Sequence, residues 1–354
     1  MSAEVNAPLP ATIEARAATF DRSNMARVIE GMPGQIAFAL TDPAFPDVDT
    51  SSISRVIVAG MGGSALPADV VADIFSHDLR APIHIARHYT VPWVIDRSTL
   101  LVVTSFSGNT EETLAAFDQA TETDARIVAI AAGGELADRA TAANCPFIRI
   151  PREREPPGFQ PRCALGYFAT YMTRLLETAG LLTTGAATLE RLIPFLQTID
   201  VRGQAEETAQ WLGQRVPIVY TDQTHADSIA RITKIKLNEN SKRPAFYNVL
   251  PEANHNEMIG LAGPFGEYGL LYLKDSLSHS RVHKRFETMR DLFSGRGLSH
   301  VQFKAWDLPG ATNAERVFAG LMFADWWSYT LALLDGVDPT PVELVEEFKQ
   351  QLRT

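Results

Sequence analysis

Cysteine is nearly absent from this 354-residue chain, which holds only Cys145 and Cys163. Two are too few for a disulfide scaffold, and no CxxC or Cys/His cluster suggests structural zinc. The expected setting is therefore a reducing cytoplasm. Basic charge is also short, with Lys+Arg 32 against Asp+Glu 42 and a net charge of −10. Nucleic acid is not expected as a partner on that balance, although one local pocket can still bind an anionic metabolite against the global sign. No run of 18 or more apolar residues occurs, so no membrane span or membrane partner is expected. The N-terminal stretch MSAEVNAPLPATIEARAATF has no basic segment followed by an apolar core, so a secretory signal is not expected either. The first twenty residues look like a loose start. What is present, 45% hydrophobic and 21% charged residues, is the composition of a globular protein, and the length suits two domains.

A helix is expected near Arg22–Leu40, then a Pro/Asp loop at 42–50. Short apolar runs follow in alternation with helical stretches: Arg55–Ala59, Pro82–Ala86, Leu100–Thr104, Arg126–Ala131 and Pro146–Ile150. Residues 151–163 (PREREPPGFQPRC) are rich in proline and charge and read as a connector. Helical patterns at 164–182 and 186–200 lead to a second alternation, with strands at Pro217–Thr221, Ala245–Val249, Gly269–Leu273 and His300–Ala305. A helix is expected around 224–238, and two close the chain at about 313–334 and 341–352. Apolar runs separated by helices predict parallel sheets covered on both faces, an α/β fold.

Two loops carry the first chemistry. Gly60-Met61-Gly62-Gly63-Ser64-Ala65 follows one strand and precedes a helix, a pattern that suits a dinucleotide fold. That reading needs an acid at the end of the second strand, and Ala86-Arg87-His88-Tyr89 has none, so a nicotinamide cofactor is not favoured. The second loop, Ser105-Phe106-Ser107-Gly108-Asn109-Thr110, also ends a strand, and Glu111 and Glu112 suit the first turn of the helix behind it. Taken as a pair, backbone N–H groups around Gly62 and Gly63 and the hydroxyls of Ser64, Ser105, Ser107 and Thr110 can converge on a phosphate dianion. Taken singly, each loop is also ordinary turn and cap chemistry.

GMGGSALPADV (60–70) and SFSGNTEETL (105–114) resemble the phosphate loops of a sugar isomerase (SIS) domain. PRCALGY (161–167), LNENSKRPAFYN (237–248), PEANHNEMIG (251–260) and GVDPTPVELVEEFKQQL (336–352) are similar to the bifunctional phosphoglucose/phosphomannose isomerase family of archaea and some bacteria. The resemblance runs through nearly the whole chain in order; Cys163 stands where alanine is usual. It implies two SIS domains, each a flavodoxin-like parallel sheet between helices: 1–160 with an N-terminal helix, a helical connector at 161–200, and 201–354. It also implies a homodimer with shared active sites, a hexose 6-phosphate substrate, no metal and no cofactor. The implied reaction interconverts glucose 6-phosphate and mannose 6-phosphate with fructose 6-phosphate. A single-specificity phosphoglucose or aminosugar isomerase, and a SIS sensor that binds without turnover, are the competing readings.

The resemblance also assigns roles. Glu239, in Asn238-Glu239-Asn240, is the implied base that moves a proton between C1 and C2, work that suits a carboxylate in a dry site; a solvated helix-end acid is the plainer alternative. His255, in the polar loop Asn254-His255-Asn256-Glu257, is the implied ring opener, reaching in from the partner subunit, or else it is a simple hydrogen-bonder. Arg162 is implied to face the developing enediolate, or else it pairs with Glu153 or Glu155 of the linker. Lys349 is implied to assist ring opening, or else it is a solvated partner of Glu346. Thr340 is implied to hold a water near C1–C2, or else it caps the last helix ahead of Pro341.

Overall fold

Runs of Val, Ile, Leu and Ala too short for helices build two parallel sheets, and helices between and outside them bury both faces of each. The computed structural model describes residues 9–48 and 52–352. In the first half, α1 (Ile13–Phe20), α2 (Met25–Glu30) and α3 (Met32–Thr41) precede β1 (Arg55–Gly60), α4 (Leu66–Ile74), β2 (Ile83–Ala86), β3 (Thr99–Thr104), α5 (Glu111–Thr121), β4 (Arg126–Ala131), α6 (Gly134–Ala142) and β5 (Phe147–Arg149). Helices α7 (Leu165–Thr178), α8 (Gly185–Thr198) and α9 (Arg202–Leu212) lead to β6 (Val216–Asp222), α10 (Arg231–Asn240), β7 (Phe246–Leu250), α11 (Ala253–Leu261), β8 (Tyr268–Lys274), α12 (Ser280–Gly295), β9 (Val301–Asp307), α13 (Asn313–Asp335) and α14 (Glu343–Leu352).

The first sheet has the order β2-β1-β3-β4-β5 and the second β7-β6-β8-β9, every pair parallel. The first is the flavodoxin-like order, and the second repeats it without a fifth strand. Such sheets bind ligands beyond the carboxyl ends of the strands where the order reverses, here between β1 and β3. Alternation divides the side chains. Val56, Val58, Leu100 and Val102 of the first sheet and Val219, Leu271 and Leu273 of the second face one shared core that holds α3, α4, α7 and α13. Ile57, Leu101 and Val103 face outward onto α5 and α6, and Ile218, Tyr220, Leu270 and Tyr272 onto α11 and α12. Helix α13 is long and apolar enough to cross a membrane, but 94% of its apolar window is buried inside the protein, so it is a core helix.

The structure corrects several expectations. The helix foreseen at 22–40 is two helices, because Pro33 lacks the N–H that would carry one helix through Gly31. The start of the chain is not loose throughout: Thr12 caps α1 by accepting from the Ala15 N–H, and Arg16 on α1 donates to the Leu333 and Leu334 carbonyls at the end of α13. Residues 1–8 lie outside the described residues. The connector at 151–163 contains two short 3-10 turns, Arg152–Arg154 and Pro161–Cys163, and the second is tucked inward with Arg162 buried. His255 lies on α11 rather than in a loop. The expected helix around 224–238 begins as a 3-10 turn and a π turn before α10.

A buried staple closes the corresponding crevice of the second sheet. His225, just after β6, meets Asp73 of α4 through Nδ1 at 2.8 Å and Asp275, just after β8, through Nε2 at 2.7 Å. Arg316 of α13 lies 2.9 Å from the second oxygen of Asp275. Burial presses the imidazole toward neutrality, but the bonds to Asp275 and Asp73 outweigh it and hold the His225 pKa at about 10. A raised pKa stabilises the fold fully below the unfolded value near 6.5, and that contribution is lost as pH climbs toward 10. Replacing His225 with Gln leaves two buried carboxylates short of a cation, a loss of about 3–5 kcal/mol. Denaturant unfolding followed from pH 6 to 10 is expected to show a stability difference between wild type and His225→Gln that shrinks with rising pH. A constant difference would contradict the charged staple.

Candidate active site

The register places the two sequence loops side by side. Gly60 pairs with Thr104 at the carboxyl ends of β1 and β3. A Cβ on Gly60 would lie 2.3 Å from Thr104 Oγ1, so only glycine permits the approach. From there the chain enters a single 3-10 turn at Gly62–Ser64, with Gly62 at φ +49, ahead of α4. Ser64 is buried, and its Oγ accepts the Phe106 N–H at 2.8 Å, which ties one loop to the other and leaves the Ser64 O–H to donate. Ser107 Oγ likewise accepts from the Asn109 N–H at 3.2 Å and keeps its own proton. Gly108 sits at φ +71, where a Cβ would meet the Gly133 carbonyl at 1.8 Å, so the second loop is wedged against the turn after β4.

A cavity of about 570 Å³ opens beside these loops. It is lined by Gly62, Gly63, Ser64, Ser107 and Thr110 from the first sheet, by Arg162 and Glu239 from beyond it, and by Lys349 from α14. Ser105 faces inward instead: its Oγ accepts the Gly108 N–H at 3.1 Å and lies 3.0 Å from Thr110 Oγ1, holding the loop's shape from behind.

Arg162 is the most constrained group of the site, with a side chain only 1% exposed. Its Nη1 donates to Glu239 Oε2 at 3.1 Å, its Nε to Asn240 Oδ1 at 2.6 Å, and its Nη2 to the carbonyls of Pro339 and Thr340 at 3.0 and 2.9 Å. The pairing with linker acids does not form; Glu155 bonds to Tyr167 and Glu153 lies near Arg149. Glu239 stands at the last turn of α10, and its side chain is one-third exposed, so a single chain does not supply the dry environment that proton transfer favours. Lys349 on α14 both lines the cavity and donates to Glu346 at 2.7 Å, so the solvated i,i+3 pair and the pocket position coexist. Thr340 does not cap the last helix, which starts at Glu343. Its carbonyl serves Arg162 and its buried hydroxyl has no hydrogen-bond partner among the described residues.

His255 is exposed on α11 and does not line the cavity of its own chain. Two neighbours escaped the sequence reading. Asn240 is buried behind Arg162. Lys242 donates to the carbonyls of Glu239 at 2.5 Å and Pro339 at 3.2 Å, and burial, then the Arg162 charge, lowers its pKa to about 8. The only sequence signal for both was their place in the polar cluster that ends α10.

Residues 202–352 match the model of the bacterial phospho-glucose isomerase C-terminal SIS domain. The bifunctional phosphoglucose/phosphomannose isomerase of Aquifex aeolicus is 31% identical over 330 residues, covering 92% of this chain and 98% of that one. Its counterpart in Caldicellulosiruptor bescii is 30% identical over 340 residues, covering 92% and 97%. The C-terminal domain of glucosamine-fructose-6-phosphate aminotransferase from Francisella tularensis superposes with a TM-score of 0.69 at 12% identity, over 90% of this chain and 98% of that one, a likeness of fold.

Proposed function

This chain belongs to the bifunctional phosphoglucose/phosphomannose isomerase family, and on that premise we propose that its cavity interconverts glucose 6-phosphate and mannose 6-phosphate with fructose 6-phosphate. The observation that carries the proposal is one cavity holding hydroxyl-rich phosphate loops and the Arg162–Glu239 pair, 3.1 Å apart. The loops supply hydroxyl and N–H donors, which suit a phosphate monoester. Glu239 takes the C2 proton of the open-chain aldose and returns it to C1, while the O2 hydroxyl proton passes to O1, leaving the C2 ketone. The enediolate between these steps carries a negative charge that the ground state lacks, and Arg162 is fixed where it lowers the energy of that charge. Return of the proton to either face of C2 gives both epimers.

Ring opening needs a further acid–base group. We assign it to His255 of a second copy in a homodimer, with Lys349 assisting; exposure of His255 and the openness around Glu239 support that assignment. We assign the holding of a water to Thr340, whose buried hydroxyl has no hydrogen-bond partner among the described residues. Both cysteines are free thiols, which suits the cytoplasm. We divide the chain at 160 and 200, with the two sheets on either side.

The test is turnover of glucose 6-phosphate, mannose 6-phosphate and glucosamine 6-phosphate by the full chain. The first two are expected to yield fructose 6-phosphate and the third to be inert. Turnover of glucosamine 6-phosphate alone would favour an aminosugar enzyme, and binding without any turnover would favour a sensor.

A further inference from the structure

The guanidinium of Arg162 is oriented from behind by a chain of hydrogen bonds with one direction. Arginine only donates, so the Asn240 atom that meets Arg162 Nε at 2.6 Å is the amide oxygen. The amide nitrogen then faces the other way and donates to Ser328 Oγ at 2.9 Å. Ser328 in turn spends its own proton on the Ala324 carbonyl one turn back along α13, at 2.8 Å. Its oxygen is therefore left to accept from Asn240, and a flipped amide would face a donor with a donor at Arg162. Asn240 and Ser328 are both buried and neither lines the cavity. The two helices are locked in register one turn earlier by the buried Lys236–Asp325 pair.

We propose that Asn240, backed by Ser328, is the positioning residue that sets the plane of the Arg162 guanidinium for stabilising the enediolate. The proposal rests on the isomerase reading and adds a residue that touches neither phosphate nor sugar. Arg162 has five N–H donors. Its bonds to Asn240, Glu239, Pro339 and Thr340 occupy four, so among the described residues one N–H on Nη1 remains for a ligand. Where that single donor points depends on rotation about the bond to Nε, and the Asn240 contact is the one that fixes Nε itself. The Glu239 contact cannot replace it, because Glu239 must move a proton during the reaction.

The test uses Asn240→Ala and Ser328→Ala in the full chain. For Asn240→Ala, kcat on glucose 6-phosphate is expected to fall about 10- to 100-fold, as misplacement of a charge-stabilising group does. Inhibition by a phosphorylated hydroxamate that mimics the enediolate should weaken by a similar factor, while KM and inhibition by inorganic phosphate change less than about 3-fold. Ser328→Ala should move the same quantities in the same direction by less. Phosphate affinity falling in proportion to kcat, or an unchanged kcat, would overturn the proposal. A second readout does not depend on the reaction: exchange of the Arg162 Nε proton, identified by its loss in Arg162→Lys, should be slow in wild type and accelerate in Asn240→Ala. Unchanged exchange would overturn the proposal. Absence of turnover by the wild-type chain would instead defeat the isomerase reading, and the exchange measurement would still decide how Arg162 is held.

Discussion

Glu239→Gln is expected to lower kcat for glucose 6-phosphate by about 10²- to 10⁴-fold, the range in which a general base contributes, with KM within a few-fold of wild type. Glutamine has the size of glutamate and retains a carbonyl oxygen that can accept the Arg162 Nη1 hydrogen bond, now at 3.1 Å. It cannot take up the C2 proton. On the proposed reading the substrate's phosphate sits on loops of the first sheet, on other elements than α10, so binding should survive the change. Steady-state kinetics on both aldose phosphates separates the two effects. A variant that keeps most of its rate would remove Glu239 from the role of base.

Gly63→Ala is expected to damage both ends of the site with a single methyl group. Its Cβ would lie 2.6 Å from the Arg162 nitrogen, 2.8 Å from the Arg162 Cα and 2.8 Å from the Pro161 carbonyl carbon. All three are backbone atoms, so no side chain can swing aside. Either the phosphate loop retreats, which raises KM, or the Pro161–Cys163 turn retreats, which carries Arg162 off its target. A shift near 1 Å in a catalytic group is enough to lose about 10²-fold in rate, and with the weakened phosphate grip kcat/KM should fall by about 10³-fold. Gly34→Ala is the matched control, since nothing lies within 4 Å of its added Cβ and the position is on α3, away from the loops. Kinetics and thermal unfolding of both variants check this. A Gly63→Ala enzyme with wild-type kcat and KM would show that the close contact between loop and turn is not needed.

The legible parts of the molecule were those encoded locally. Strand, Gly-rich turn and helix follow one another within a dozen residues around Ser64 and again around Ser107, so composition and order suffice to read them. That these two turns are neighbours depends on β3 lying next to β1 in the sheet, a long-range pairing that no local pattern displays. Arg162 shows the opposite difficulty. PREREPPGFQ, which precedes its turn, has the composition of a solvated connector, yet the turn lies against Gly63 and buries Arg162 beside Glu239. Segment 253–261 reads as polar loop because its helix has little amphipathic contrast and buries only Ala253 and Leu261. Helix α1 has no fully buried residue; Ile13, Ala17 and Phe20 lean on the core and its cap and Arg16 complete the hold, a pattern too short for a periodicity reading. Asn240 was invisible because its importance lies in which atoms it faces, and an asparagine beside a glutamate looks the same whether buried or exposed.

The central claim is that Glu239 carries a proton between carbon atoms of a sugar whose phosphate is gripped by the loops after β1 and β3. Deuterium entry into fructose 6-phosphate, incubated with enzyme in heavy water and read at C1 by mass spectrometry or NMR, tests it most directly. The carboxyl group exchanges its proton with solvent while it waits on the enediolate, so wild type should label C1 progressively and Glu239→Gln should leave it unlabelled over the same interval. Conversion by wild type without label at C1, or labelling by Glu239→Gln at the wild-type rate, would contradict the claim.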